Sequence, residues 1–213
     1  MSKVILFQGD SITDGGRTPQ GELWAGCGYV TMVKGQLGYE KPDEYTFYNR
    51  GVSGNRVVEV YARMKADIIN LKPDYMSILI GVNNAAQEIS STGMGVDRFE
   101  QIYTMLIEDI KQALPDIKIM ILEPFVLRGS ATDNTEEIPN RWEQYQVEIA
   151  AFAAASRRVA EKFNLPFIEL QEKFNKVSEN MDSKYWIYDG VHPTAMGHNL
   201  IKEAWLEAFN KLI

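Results

Sequence analysis

Val4-Ile5-Leu6-Phe7-Gln8-Gly9-Asp10-Ser11-Ile12-Thr13 is the stretch whose reading decides the fold. Its first four residues are apolar, two of them β-branched, with neither helical nor alternating period, as in a strand buried on both faces. Strands covered on both faces belong to parallel sheets, whose connections are helices. Similar short runs recur at residues 46–48, 76–80, 117–122 and 167–170. Between them lie segments of helical period, at about residues 29–37, 57–71, 98–114, 141–163 and 195–212. In the last of these, Leu200, Ile201, Ala204, Trp205, Ala208 and Phe209 share one helical face. Pro73, Pro115 and Pro166 each stand between a helix and the next strand, where proline stops helices. Five strands, each followed by a helix, predict an α/β protein with a five-stranded parallel sheet covered by helices on both faces. No repeat or linker divides the chain, so one domain is expected over residues 1–213. The least regular stretch, residues 123–139, is long for a compact domain and is expected to be functional or mobile.

At 213 residues, 45% hydrophobic and 24% charged, the chain has the composition of a globular protein and the length to bury a sizeable core. Its 22 basic and 29 acidic residues leave a formal charge of −7. That balance argues against a nucleic acid or an anionic membrane as partner, because phosphate binding needs clustered Lys and Arg. A single cysteine, Cys27, excludes an intrachain disulfide and a thiolate zinc site. Met1-Ser2-Lys3-Val4 runs into the first strand without the apolar segment of a signal peptide, and no apolar run approaches the ~18 residues of a membrane span. A soluble, cytoplasmic protein is expected.

Loops that follow parallel strands gather at one edge of the sheet, and ligands bind there, where strand order reverses. Gly9-Asp10-Ser11-Ile12-Thr13 follows the first strand, residues 49–56 the second, and Gly81-Val82-Asn83-Asn84 the third. Asp189-Gly190-Val191-His192-Pro193 lies after the fifth, before the last helix. These segments carry a hydrolytic set. A serine hydroxyl is a weak nucleophile and needs a base within hydrogen-bond reach, itself held in one tautomer by a third group. The chain has two histidines. Asp189 precedes His192 by three residues, in a turn that lets its carboxylate reach Nδ1–H while Nε2 faces Ser11. Donors for a developing oxyanion are available from the Ser11 N–H, the Gly54 N–H and the Asn83 amide.

Each residue also has a plainer reading. Ser11 alone could be a helix cap or turn residue; the other three segments weigh against that. Asp10 and Asp14 read as acceptors that brace their loop, Gly51 as a turn residue, and His198 as a helix-surface or core histidine. The serine elbow Gly-x-Ser-x-Gly, the dinucleotide fingerprint and the Walker loop are absent, and no metal-ligating cluster is present. No cofactor or metal is expected.

Gly-Asp-Ser-Ile-Thr, Gly54 within Val-Ser-Gly, Gly-x-Asn and Asp-x-x-His occur in the order and spacing of the four blocks of the SGNH (GDSL) hydrolases, and the chain resembles that family over almost its whole length. The resemblance implies a flavodoxin-like three-layer sandwich with strand order 2-1-3-4-5. It also implies Ser11 as nucleophile, His192 as base, Asp189 as its orienter, and an oxyanion hole of Ser11, Gly54 and Asn83. Asn84 stands where the family commonly has Asp. Asn-Arg-Gly-Val-Ser-Gly-Asn-Arg, Glu123-Pro124-Phe125 and Asp-Gly-Val-His-Pro-Thr-Ala-Met-Gly-His further resemble small intracellular acetyl-xylooligosaccharide esterases. That narrower resemblance implies a serine esterase acting on a small-molecule ester, an acetylated sugar. The alternatives are a lysophospholipase or thioesterase for longer acyl chains, or a catalytically silent binding protein. Arg56 either contacts the sugar or acyl carbonyl or is solvated at a helix start. Trp186 and Tyr188 either stack on a sugar or pack at the rim. A shallow acyl pocket is expected between Gly54, Asn83 and residues 123–125. Monomer and homo-oligomer both remain open.

Overall fold

Strand β1 (Lys3–Gly9) lies between β2 (Tyr45–Asn49) and β3 (Tyr75–Leu79), pairing in parallel with both. β4 (Lys118–Leu122) and β5 (Phe167–Ile168) extend the sheet, giving the expected order β2-β1-β3-β4-β5. The computed structural model describes residues 2–18 and 24–213. Order reverses at β1 and β3, which is where the loops carrying Ser11 and Asn83 emerge side by side. The central strands are apolar on both sides because both faces are covered: Ile5, Leu6, Phe7, Met76, Ile78 and Ile121 are buried.

Alternation along β1 assigns its side chains to two helical layers. Phe7 packs on Tyr29 and Trp205, from α2 (Tyr29–Glu40) and α9 (Ala195–Leu212), with ring centroids 6.0 and 5.1 Å apart. The next residue, Gln8, turns the opposite way and accepts from Arg63 of α3 (Val57–Asp67) at 2.7 Å. Helices α5 (Val96–Ala113) and α6 (Arg141–Lys162) continue the α3 layer.

Two helices of four residues and two of eight, at loop ends, fall outside the periodic segments of the sequence: α1 (Ser11–Asp14) and α8 (Ser183–Trp186), and α4 (Val82–Ile89) and α7 (Gln171–Ser178). Each is too short, or too closely joined to a strand, to establish a period of its own. β5 is two residues long instead of the expected four, because the Leu170 N–H is taken by the Glu123 carboxylate as α7 begins. The helix expected at residues 57–71 ends at Asp67 and passes into a 3-10 turn at Ile69–Leu71.

His198 belongs to this scaffold. It is 8% exposed, stacks on Tyr29 and accepts the Tyr29 N–H through Nδ1 at 3.2 Å. It thereby satisfies a first-turn donor of α2 that the N-cap Gly28 cannot serve. Burial, helped by the nearby His192, pushes its pKa down from 6.5 to about 4. The unfolded chain therefore takes up this proton first. The resulting stabilisation is complete above about pH 6.5 and is lost as pH falls towards 4. His198→Asn keeps an acceptor near the Nδ1 position and removes the titration. Between about pH 7.5 and about pH 4.5 its urea-unfolding free energy should fall by about 2–3 kcal/mol less than the parent's. An equal fall in both proteins would show that His198 is not buried in its neutral form.

Candidate active site

Ser11 is the first residue of α1, and Asp10, the N-cap, accepts the Ile12 N–H through Oδ1 at 3.0 Å. This cap turns the chain sharply out of β1 and presents the serine at the sheet edge. Ser11 Oγ lies 2.9 Å from His192 Nε2, and His192 Nδ1 lies 2.7 Å from Asp189 Oδ2. The other Asp189 oxygen, Oδ1, accepts the backbone N–H groups of Val191 at 2.9 Å and His192 at 2.7 Å. Burial pushes the Asp189 carboxyl up, but the His192 and Val191 N–H groups and the imidazole outweigh it and hold the pKa below the usual carboxylate value. An ionised Asp189 keeps the proton on Nδ1, leaving the Nε2 lone pair to accept from the serine hydroxyl. Tyr188 stacks on the His192 ring with centroids 5.8 Å apart, and its N–H donates to the His192 carbonyl at 3.0 Å.

The long loop after β4 forms the seat of this turn. Leu127 N–H donates to Gly190 O at 2.9 Å and Ala131 N–H to Asp189 O at 2.7 Å. Buried Thr132 accepts from Gly129 N–H and donates to Leu127 O. These bonds make the loop a brace rather than a mobile flap. Of the expected acyl-pocket wall at residues 123–125, Pro124 lies against Gly81, where a Cβ would come within 3.0 Å of its ring. Phe125 is fully buried and stacked on Phe174, while Glu123 Oε2 receives the Leu170 and Gln171 N–H groups.

The loops after β1, β2 and β3 are joined in series. Val52 N–H donates to Gly9 O at 3.0 Å and Ser53 N–H to Asp14 Oδ2 at 3.1 Å. Asn83 Nδ2 donates to Asn55 O at 3.1 Å, which fixes the amide plane and leaves its second hydrogen available. Asn84, buried, receives the Val57 N–H through Oδ1 at 3.3 Å, so the residue that departs from the family pattern caps α3. Gly51 is required for close approach: a Cβ there would lie 2.4 Å from Asp14 N. Gly54 adopts φ +79°, a left-handed conformation that aims its N–H, and a Cβ built there would meet nothing within 4 Å.

The candidate substrate residues differ in how they are held. Arg56 is the N-cap of α3, and its guanidinium is taken up by Glu59 and Gln87, which favours the helix-start reading. Trp186 is half-buried and donates its indole N–H to Val177 O at 3.2 Å. Tyr188 is 57% exposed beside His192. Asn49 was not among the candidates, yet it is the buried knot of the first two loops. Its Nδ2 donates to Thr13 O at 2.7 Å and Ala25 O at 2.8 Å, and its Oδ1 accepts from Gly51 N–H at 2.9 Å. An asparagine ending a strand before Arg-Gly was the only sequence signal, and it does not reveal bonds to a segment 24 residues away. Asp10 is also buried. Its Oδ2 has no partner among the described residues, and burial pushes its pKa up to about 7.

A serine, imidazole and carboxylate in one hydrogen-bonded row, at the reversal of a 2-1-3-4-5 sheet, define the class of the protein. The model of the GDSL-like lipase/acylhydrolase family matches residues 7–200, and the chain belongs to that family of carboxylic ester hydrolases. It is 33% identical to the acetylxylan esterase of Geobacillus stearothermophilus, over 95% of this chain and 91% of that one. A crystal structure of the Geobacillus enzyme superposes with a TM-score of 0.80 at 30% identity, covering 97% of this chain and 93% of the other. A Parabacteroides merdae protein described as GDSL-like lipase superposes with a TM-score of 0.85 at 33% identity, covering 99% and 97%. Among the described residues no group of three or more His, Cys, Asp or Glu is placed to hold a metal, and no helix is long and apolar enough to cross a membrane.

Asn49→Ala removes the hydrogen bonds to the Thr13, Asp14 and Ala25 carbonyls and from the Gly51 N–H, and strands buried carbonyl and amide groups. It should lower the unfolding free energy by about 2–4 kcal/mol. Ester hydrolysis should fall as well, because the loops bearing Ser11 and Gly54 lose their common tie. Denaturant titration together with esterase assay checks both; an unaltered midpoint would remove Asn49 from the bracing role.

Proposed function

We propose that this chain is a cytoplasmic serine esterase that removes acetyl groups from short acetylated xylo-oligosaccharides or related sugars. The observation that carries the reading is the row from Ser11 Oγ through the His192 ring to Asp189, at 2.9 and 2.7 Å. Ser11 Oγ attacks the acetyl carbonyl carbon as His192 Nε2 takes its proton. The oxyanion is held by the N–H groups of Ser11 and Gly54 and by the free hydrogen of Asn83 Nδ2. Asp189 stabilises the imidazolium, which then protonates the departing sugar oxygen. Water, deprotonated by the same imidazole, releases acetate from Ser11. The residues supply the base, the acid and the oxyanion donors, so these steps call on no cofactor.

The sugar assignment is supported by likeness to the Geobacillus stearothermophilus protein, whose name is acetylxylan esterase. It is also supported by the exposed Tyr188 ring against His192, an aromatic face on the leaving-group side. Trp186 is in edge contact with Tyr185.

Ser11→Ala should remain folded with hydrolysis near background, since loss of the nucleophile in a serine hydrolase costs on the order of 10⁶ in kcat. Retention of activity within about tenfold would overturn the nucleophile assignment. Asn83→Ala should cost less, about 10²–10³ in kcat, because two backbone donors remain. An unchanged kcat would take Asn83 out of the oxyanion hole. Across p-nitrophenyl acetate, butyrate and octanoate, kcat/KM should fall. An apolar acyl channel would instead gain about 0.8 kcal/mol per methylene. Preference for octanoate, with acetylated xylo-oligosaccharides inert, would replace this reading by a long-chain acyl hydrolase.

A further inference from the structure

A cleft of about 390 Å³ lies between α6 and α7, beyond the carboxyl ends of β4 and β5. It opens on the same sheet edge as Ser11, but its lining contains none of Ser11, Gly54, Asn83, Asp189 and His192. β4 is two strands from β1, so the cleft begins about 10 Å along the sheet from the strand that carries Ser11. Its volume falls in the range of small-molecule sites, roughly 300–1,000 Å³. We propose that this cleft is a second saccharide-binding site, which holds unreacting pyranose units of an uncharged xylo-oligosaccharide. The choice of that sugar rests on the proposed function; the class of ligand follows from the lining.

The two ionic side chains at the cleft are already committed. Glu123 Oε2 receives the Leu170 and Gln171 N–H groups at 2.7 and 2.8 Å. Arg157 donates to Glu169 at 2.6 Å and lies over the Phe167 ring, 4.4 Å from its centroid. The lining is also balanced in charge, one carboxylate against one guanidinium, which disfavours a phosphate or carboxylate ligand. What remains for a ligand is neutral hydrogen bonding. The Gln146 amide and the Trp142 indole N–H have no partner among the described residues. Asn175 has its Oδ1 occupied by Gln171 Nε2 at 2.9 Å, which leaves its own NH₂ as donor. Gln171 is locked in turn, accepting from Val126 N–H at 3.0 Å and donating to Val126 O at 2.9 Å. This wall is ordered before any ligand arrives, which lowers the entropic cost of binding.

Between these polar groups the surface is apolar and low. Along α6, Trp142, Gln146, Ala150 and Ala154 follow one another at i, i+4 spacing on the face that lines the cleft, and the two alanines project only a methyl group. A pyranose offers the complementary pattern, a C–H face bordered by hydroxyls that both donate and accept. A fatty chain would desolvate the amides without replacing their hydrogen bonds, an unfavourable exchange. The feature that favours a sugar is this alternation of indole, methyl and amide around a site without spare charge.

The test uses full-length Ser11→Ala protein and xylohexaose without acetyl groups, so neither turnover nor ester recognition is required. Calorimetry should show saturable binding, weakened about tenfold in Gln146→Ala and in Trp142→Leu, as expected for losing one good contact. In the Ser11-containing background the same two substitutions should leave p-nitrophenyl acetate hydrolysis unchanged, and Gln146→Ala, at an exposed position, should leave thermal unfolding unchanged as well. Undiminished binding in both variants would place the sugar elsewhere and overturn the proposal, as would no binding of xylohexaose. Sedimentation showing that Gln146→Trp splits an oligomer would assign the cleft to a second copy of the chain, again overturning it. Loss of acetate release from acetylated substrates with cleft binding intact would refute only the proposed function. The reverse pattern would refute only the second site.

Discussion

Both oxygens of Asp189 are used, and the site depends on that division. Oδ1 gathers two backbone N–H groups and closes the turn, while Oδ2 holds the imidazole. One carboxylate thus sets the shape of the segment that carries His192 and the tautomer of the ring. The turn is bounded by the bridge between Ile187 and Pro193, and Thr194 then caps α9 by accepting the Gly197 N–H. A carboxylate serving only the ring would leave the turn to its left-handed glycine, Gly190 at φ +99°. The bonds from Leu127 and Ala131 to this turn show that the scaffold, not the turn alone, fixes its position.

The remaining loops are positioned by cross-bonding. Gly9 to Val52, Asp14 to Ser53 and Asn55 to Asn83 form a continuous ladder from the end of β1 through the loop after β2 to the start of α4. Donors fixed before reaction are the condition for electrostatic stabilisation of an oxyanion, since they need not reorganise when charge develops. Asn49 serves that condition from below. It satisfies buried carbonyls of two segments with one amide, and the side chain that does so is itself fully enclosed.

Two buried ionisable groups flank this arrangement, and both are destabilised as ions. Asp10 is pushed up to about 7 and His198 down to about 4, in each case chiefly by burial. Their effects on stability oppose each other as pH falls: protonating Asp10 relieves a buried charge, and protonating His198 creates one. The protein therefore carries, close to Ser11 and His192, two groups that favour neutrality on opposite sides of an ordinary titration.

Local patterns were enough for the sheet and for the four segments around it. The apolar run at residues 4–7, the helix at Ala195–Leu212 and the spacing of Asp189 and His192 are short-range features, and the structure reproduces them. The strand order came with the family resemblance and holds throughout. Short helices escaped because one or two turns carry no period, and β5 ended early because Glu123, 47 residues upstream of Leu170, captures its N–H. By itself the sequence determined that a serine, a histidine and a carboxylate would meet at the carboxyl edge of a parallel sheet, since strand patterning and loop position place them there. Only the tertiary structure decided that Phe125 is core, that Arg56 is tied to its own helix and that Asn49 joins the loops. Those outcomes depend on burial and on hydrogen-bond partners far away in the chain, which no local spacing encodes.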